Sequence, residues 1–141
     1  MISVQKIIGK EDLQKAFDIR EKVFVIEQKV DREEEYDEFE DSSIHFLAIE
    51  NNIPLGTARW RVKGDKIKLE RFAVLEEARG KGVGAALVNA VVDDITKENR
   101  KEQMYMHAQV HAVPFYEKLG FTKQGDLFLE CDIEHYTMIK D

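Results

Sequence analysis

The stretch RGKGVG, Arg79 to Gly84, places three glycines at alternate positions directly before the apolar run AALVNAVV. Each glycine in the first turn of a helix costs roughly 1 kcal/mol relative to alanine, so three of them need a reason other than helix formation. N–H groups at the start of a helix, at the positive end of its dipole, bind anionic groups. The stretch therefore predicts a ligand lying against bare backbone where a helix begins.

The segments before this stretch predict one helix and four strands. ISVQKII alternates in polarity as a strand does, and the helical positions that follow it are Leu13, Ala16, Phe17, Arg20 and Phe24. IHFLAIE, LGTARWRV and KIKLERFAV are rich in β-branched and aromatic residues and are separated by turn residues at hairpin lengths. These three segments predict consecutive antiparallel strands.

The segments after the glycines complete the predicted fold. A helix follows, with the apolar positions Val83, Leu87, Val91 and Ile95 four residues apart. MYMHAQV then predicts a strand, VPFYEKLG a short helix ended by Gly120, and FTKQGDLFLE with IEHYTMI a closing hairpin. The order β-α-βββ-α-β-α-ββ predicts an α/β (α+β) fold with a mixed, mostly antiparallel central sheet of six to seven strands flanked by helices.

Length and composition predict a single domain over residues 1–141, because 141 residues with 43% hydrophobic side chains can bury one core. The apolar runs are far shorter than the roughly 20 residues of a membrane span, and the first residues do not form a secretory signal. The lone Cys131 excludes an internal disulfide and agrees with a reducing compartment. We therefore expect a cytoplasmic protein without membrane association.

The acidic residues are concentrated in one segment, residues 31–41, which we call the acidic run. Its eight acidic residues and one arginine account for the whole net charge of −7. Because the chain has no basic face, binding to nucleic acid is not expected. Two interpretations of the acidic run remain open: a solvated loop, or a negative rim that attracts a cationic substrate.

Two known glycine motifs fit RGKGVG poorly. A P-loop needs a serine or threonine after its lysine, and Lys81 is followed by Gly82. The dinucleotide pattern is met by Gly80, Gly82 and Ala85, but it should open a parallel βαβ unit with an acidic residue after the second strand. Here three antiparallel strands precede the glycines, and the second strand is followed by AQVHAV.

With Arg79, Gly82 and Gly84 as its fixed positions, the stretch resembles the coenzyme A motif [QR]-x-x-G-x-[GA] of the GCN5-related N-acetyltransferase (GNAT) family. A second motif of that family is matched by AVPFYEKLGF, Ala112 to Phe121, about 30 residues later. The segments FVIEQ and ECDIEHYTM and the acidic run are similar to a bacterial subgroup typified by ElaA and YjcF. One departure is Gln109, which stands where many members have an asparagine.

The resemblance implies acetyl-CoA as acetyl donor and direct attack by an amine, without an acyl-enzyme. The strand ERFAV would splay from MHAQV, and backbone amides near Phe72 would polarise the acetyl carbonyl. Tyr116 would protonate the departing thiolate. The positions implied in cofactor binding are Phe72, Ala73, Val74, Arg79, Gly80, Lys81, Gly82, Val83, Gly84 and Gln109.

The base that deprotonates the acceptor is less defined by the sequence. Glu70 lies on the same side of its strand as Phe72, and if that face is partly dry, burial would raise its pKa toward that of a working base. The alternative is a salt bridge with a neighbour such as Arg71 or Lys68. Glu27, His45 and His135 are further candidates at the acceptor. Cys131 stands between two acidic residues that disfavour its thiolate, so an acetylated cysteine is not expected. We expect no metal site.

The function predicted from these residues is transfer of an acetyl group from acetyl-CoA to a primary amine of a small molecule or peptide. The acidic run would favour a cationic acceptor. The alternatives are a coenzyme A binding module without turnover and, third, dinucleotide-dependent redox chemistry. A homodimer is compatible with the sequence, which shows no patch that decides the oligomeric state.

Overall fold

The computed structural model describes residues 1–140, in which seven strands form one sheet. In sheet order these are β1 (Ser3–Lys6), β2 (Ile44–Glu50), β3 (Ile53–Lys63), β4 (Lys66–Val74), β5 (Gln103–Gln109), β7 (Ile133–Lys140) and β6 (Thr122–Glu130). Every neighbouring pair is antiparallel except β4 and β5, which are parallel. The predicted fold class and the order of elements are confirmed.

The helices lie at the predicted places, with two additions. They are α1 (Lys10–Arg20), α2 (Arg32–Glu35), α3 (Val83–Lys97) and α4 (Val113–Lys118). The first addition is a π-helical segment, Glu21–Glu27, which continues α1 directly. The second is α2 itself, one short turn inside the acidic run. Single 3₁₀ turns precede the glycine stretch and α4.

The main core lies between the sheet and α3. Val83, Leu87, Val91 and Ile95, the four positions given by the sequence pattern, are all at most 1% exposed. They belong to one cluster with inward-facing side chains of the central strands, among them Trp60, Ile67, Leu69, Met106 and Met138. A second, smaller cluster joins α1 and the π-helical segment to the sheet through Ala16, Ile19, Val23, Leu47 and Leu75.

The two parallel strands separate soon after they meet. β4 and β5 pair only where Lys66–Lys68 lie beside Gln103–Tyr105. Beyond Lys68, β4 keeps its partner β3 and β5 keeps its partner β7, so the facing edges of β4 and β5 diverge. This is the splay that the sequence resemblance implied, and it leaves backbone groups of both strands without ladder partners.

Candidate active site

The splay opens into a cavity of about 460 Å³. Its floor is the diverging backbone, residues 68–72 of β4 and 106–109 of β5, and Tyr116 of α4 closes one side. The opposite walls come from the π-helical segment, the acidic run and the turn between β6 and β7. Polar backbone therefore faces an enclosed space of the size that small-molecule sites have.

A β-bulge in β4 lies at the edge of this cavity. Arg59 pairs with Glu70 and Thr57 pairs with Ala73. Two residues of β4, Arg71 and Phe72, therefore lie opposite the single residue of β3 between Thr57 and Arg59. Arg71 takes the left-handed conformation, with φ of 60°. A bulge bends its strand and redirects the following residue. It thereby sets the direction of the Phe72 side chain, whose ring centroid is 6.1 Å from that of Tyr116.

The three glycines of the RGKGVG stretch have two different structural reasons. Gly80 and Gly82 have φ of 80° and 86°, and a Cβ on either would meet no atom within 4 Å. Gly84 has no positive φ, and its Cβ would stand 3.2 Å from Cζ of Phe115. Gly84 thus has a packing reason, because it lets α3 approach α4, and a ligand as the reason for all three glycines stays a prediction.

The turn made by Gly80 and Gly82 leaves an open helix start. The first hydrogen bond of α3 runs from the N–H of Ala86 to the carbonyl of Gly82. The N–H groups of the three preceding residues, 83–85, therefore have no partner in the helix. The Val83 side chain is buried while Lys81 is exposed beside these N–H groups. We call residues 79–84 the cradle, since its donors and charge suit an anionic group.

Arg79 and Glu27 form an ion pair beside the cradle. Both terminal nitrogens of Arg79 lie 2.6 Å from oxygens of Glu27, and Nε donates to the Val74 carbonyl at 3.2 Å. The hydrogen bond from Arg79 lowers the pKa of Glu27. Glu27 does not line the cavity. The structure thus brings it to the cofactor residues rather than to the space for an acceptor.

Tyr116 is buried at the cavity wall with only 9% of its surface exposed. Its ring packs edge-on against Phe72, Phe115 and Phe121, at centroid distances of 6.1, 5.0 and 6.1 Å. Its hydroxyl has no hydrogen-bond partner within residues 1–140. Every fully buried side-chain oxygen in that part of the chain has a partner, so this hydroxyl is not fully buried and must reach the cavity. Burial raises the pKa of Tyr116, which keeps the hydroxyl protonated and able to donate.

Glu70 lines the cavity, but its expected raised pKa was wrong. Its Oε2 lies 2.6 Å from Arg59 and 2.8 Å from Arg61, and its Oε1 lies 3.3 Å from Lys68 and 3.8 Å from Arg71. Burial does favour the neutral acid, but the surrounding cations outweigh it, and the pKa falls to about 2. A carboxylate held by four cations is a weak proton acceptor.

The two histidines named at the acceptor lie in different places. His45 points from β2 toward α1, with Nε2 2.8 Å from the Glu40 carbonyl, and does not line the cavity. His135 does line the cavity. Its Nδ1 is 2.6 Å from the Ile133 carbonyl, so this nitrogen carries a proton, and the neutral form of the ring has its lone pair on Nε2. Gln109, also at the cavity, donates to Gln28 Oε1 at 2.8 Å.

Several polar residues of the cavity were not among the sequence candidates. Glu130 Oε1 is 3.0 Å from His107 Nδ1, and Glu130 Oε2 is 3.8 Å from His135 Nε2. Arg61 and Lys68 are cross-strand partners at the narrow end of the splay. Strand alternation puts Lys68 on the same side of β4 as Glu70, so the sequence pattern could have indicated Lys68 as a cavity residue. The place of Arg61 depends on the acidic run covering this face, which no local pattern shows.

The acidic run is partly fixed onto the sheet by ion pairs and partly exposed. Arg20 and Arg59, 1% and 0% exposed, bind carboxylates of Glu35, Asp37 and Glu40 at 2.7 to 2.8 Å. Arg59 is the main group that lowers the pKa of Asp37 to about 2 against the effect of burial. For Glu35, in contrast, burial dominates and raises the pKa. Three of the eight carboxylates of the run are thereby fixed onto the sheet by ion pairs.

Other sites are not indicated by the described residues. Residues 1–140 contain no group of three or more His, Cys, Asp or Glu side chains placed to hold a metal ion. No helix within these residues is long and apolar enough to cross a membrane. Cys131 donates to Glu34 at 2.9 Å, and burial together with this contact raises its pKa to about 12. Its thiol stays protonated at neutral pH, as the flanking acidic residues suggested.

Comparison with known proteins gives a consistent family. The acetyltransferase (GNAT) domain model matches residues 8–141. YjcF of Bacillus subtilis, described as an N-acetyltransferase, is 40% identical over 134 residues, which are 94% of this chain and 95% of that protein. The crystal structure of Escherichia coli ElaA has a TM-score of 0.89 at 25% identity and covers 100% of both chains.

A more distant structure shares the fold. The PaiA N-acetyltransferase of Thermoplasma acidophilum, solved in complex with coenzyme A, has a TM-score of 0.74 at 15% identity and covers 99% of this chain and 98% of its own. The family model and the relative from Bacillus subtilis both extend over nearly the whole sequence. The chain therefore belongs to the GNAT family of acetyltransferases.

Proposed function

We propose that this protein transfers an acetyl group from acetyl-CoA to a primary amine of a small molecule or peptide, by direct attack in a ternary complex. The observation that carries the proposal is the splay between β4 and β5. It joins the open helix start of the cradle to a cavity lined by Tyr116, whose protonated hydroxyl has no hydrogen-bond partner within residues 1–140. The complex of the distant PaiA structure with coenzyme A supports the same cofactor here.

The cradle would hold the pyrophosphate of coenzyme A. The free N–H groups at the start of α3 donate to phosphate oxygens, and Lys81 and Arg79 add positive charge. Arg79 is held by Glu27 and by the Val74 carbonyl, so its position is fixed before the cofactor arrives. The pantetheine arm would then run into the splay along the unpaired edge of β4, with Gln109 on the facing strand.

The chemistry takes place where the bulge redirects β4. A backbone N–H in the segment Phe72 to Val74 would donate to the acetyl oxygen as negative charge develops on it. The amine nitrogen forms a bond to the carbonyl carbon, and the carbon–sulfur bond breaks. Tyr116 gives its hydroxyl proton to the departing thiolate, since its raised pKa keeps it protonated until that moment.

We assign the role of general base, which takes the proton from the acceptor ammonium, to His135 rather than to Glu70. The Nδ1–H of His135 is fixed by a backbone carbonyl, so the lone pair of Nε2 is the free acceptor. Glu130, 3.8 Å from Nε2, stabilises the imidazolium that forms. Glu70 is already bound by four cations, and its role would be to hold their side chains in position.

The test is acetyl transfer from acetyl-CoA to a pool of primary amines, followed by mass spectrometry of the products. We expect at least one acetylated amine and release of one thiol per product. If His135→Gln turned over at the parent rate, the proton would go elsewhere. If the protein bound coenzyme A but acetylated nothing in the pool, the binding module would be the better interpretation.

A further inference from the structure

Arg61 presents unused donors to the cavity. Only 8% of this residue is exposed, and its Nε donates to Glu70 at 2.8 Å. Its guanidinium lies over the ring of Phe39, 3.9 Å from the centroid, which fixes the plane of the group. The two terminal nitrogens have no hydrogen-bond partner within residues 1–140. Every fully buried side-chain nitrogen in that part of the chain has a hydrogen-bond partner. The two terminal nitrogens are therefore not fully buried, and they are open to the cavity that Arg61 lines.

Lys68 stands next to Arg61 and is also buried, with 9% exposed. The two residues face each other across β3 and β4, at the narrow end of the splay. Its ammonium has one contact there, Glu70 at 3.3 Å, and Glu70 is shared with three arginines. The two buried cations, Arg61 and Lys68, thus share the Glu70 carboxylate, which two further arginines also contact.

The carboxylates near this pair already have other partners. Glu35, Asp37 and Glu40 are bound to Arg20, Arg59 and Arg71. Glu130, whose pKa is lowered in part by the charge of Lys68, accepts from His107, and Glu34 accepts from Cys131. The open terminal donors of Arg61 therefore suit an anionic oxygen of a ligand.

The distance between this pair and the reacting groups limits the ligand. Lys68 lies four residues from Phe72 along β4, about 13 Å in extended strand before the bulge shortens it. This separation exceeds the spacing of the amine and carboxylate in an α-amino acid, even when the Lys68 side chain is subtracted. We therefore expect an anionic group at this pair to be joined to an amine near Phe72 by several atoms.

We propose that the acceptor carries an anionic oxygen group, such as a carboxylate, that binds Arg61 and Lys68, with the reacting amine several atoms away. This inference rests on the proposed function for the amine and names the class of acceptor. It differs from the cationic acceptor that the acidic run suggested, because the Glu35, Asp37 and Glu40 carboxylates of that run are already bound by arginines.

The test compares three amines of equal length: 6-aminohexanoate, hexylamine and 1,6-diaminohexane. We expect kcat/KM for 6-aminohexanoate to exceed that for hexylamine by at least about tenfold, the effect of one charged hydrogen bond. In Arg61→Gln this ratio should fall toward one. Lys63→Met, which removes a cation from the exposed end of the same strand, should leave the ratio as in the parent.

A binding measurement separates this inference from the enzymatic proposal. The same amines are titrated by NMR into the protein saturated with coenzyme A. Tighter binding of 6-aminohexanoate without any transfer would retain the anion site and reject the transferase. Transfer without preference, or with preference for 1,6-diaminohexane, would reject the anion site and retain the transferase. If Arg61→Gln does not fold, as judged by its melting curve, Lys68→Met takes its place with the same expected loss.

Discussion

The cradle and the buried ion network at the cavity, which we call the wall, are built in opposite ways. The cradle consists of consecutive residues, 79–84, and acts through backbone N–H groups and two left-handed glycines. The wall is an ion network whose members, such as Arg20, Glu35, Arg59 and Glu70, come from distant parts of the chain and act through side chains. The cradle can be altered with little effect on folding, whereas the wall supports both the fold and the shape of the cavity.

Removing the central cation of the wall should have the largest effect. Arg59→Met leaves carboxylates of Asp37, Glu40 and Glu70 without their shared partner, and breaking a buried pair of this kind costs about 3–5 kcal/mol. Denaturant unfolding measures the loss. Arg32→Met, which removes an exposed pair with Glu21, is the matched control and should change stability little. Equal effects would show that burial of Arg59 is not what stabilises the wall.

The acid sensitivity of the wall follows from the low pKa of Glu70. Its pKa of about 2 lies below the 4.5 of an unperturbed glutamate, so the folded state binds fewer protons. The resulting stability is complete above about pH 4.5 and is lost as the pH falls toward 2, up to about 3 kcal/mol.

Glu70→Gln should flatten this part of the curve of unfolding free energy against pH, and the exposed Glu33→Gln should not. Glu35 acts at higher pH, because burial raises its pKa above 4.5 and its contribution to stability therefore rises as the pH falls toward 4.5. A parent curve that is flat between pH 4.5 and 2 would contradict the assignment.

The cradle should respond in binding more than in folding. Gly82→Ala places a Cβ in the open space where we expect the pyrophosphate, and we expect a loss of coenzyme A affinity of about tenfold in calorimetry. Gly125→Ala is the control, because Gly125 has φ of 80° and an equally open surrounding in β6. Both variants carry a similar backbone strain, of about 1–2 kcal/mol. Equal affinities in the two variants would contradict the place of the cofactor.

The sequence predicted the cradle and the element order because the signals are local. Glycine spacing, the strand-to-helix change and the AVPFYEKLGF segment each lie within about ten residues. The wall could not be predicted in this way. Arg59 and Arg61 alternate with Trp60 and resemble the solvent side of a strand, and only the fold shows that the acidic run covers them.

One signal for the wall was present in the helix pattern. Arg20 occupies a position of the apolar stripe of α1, where a charge is expected to be buried with a partner. The sequence could not name Glu35 and Glu40 as those partners, since the eight acidic residues of the run look equivalent. For the same reason the low pKa of Glu70 was not predicted. Burial alone raises a carboxyl pKa, and the number of surrounding cations is a tertiary property.

The most direct test of acetyl transfer in this cavity is Tyr116→Phe, measured for turnover and for cofactor binding. The hydroxyl acts only when the carbon–sulfur bond breaks, so kcat should fall about 10²-fold to 10⁴-fold while coenzyme A affinity and melting temperature stay near those of the parent. The hydroxyl has no partner within the described residues, which is why its removal should not weaken packing. Normal turnover with a melting temperature several degrees lower would make Tyr116 a core residue and contradict its role as proton donor.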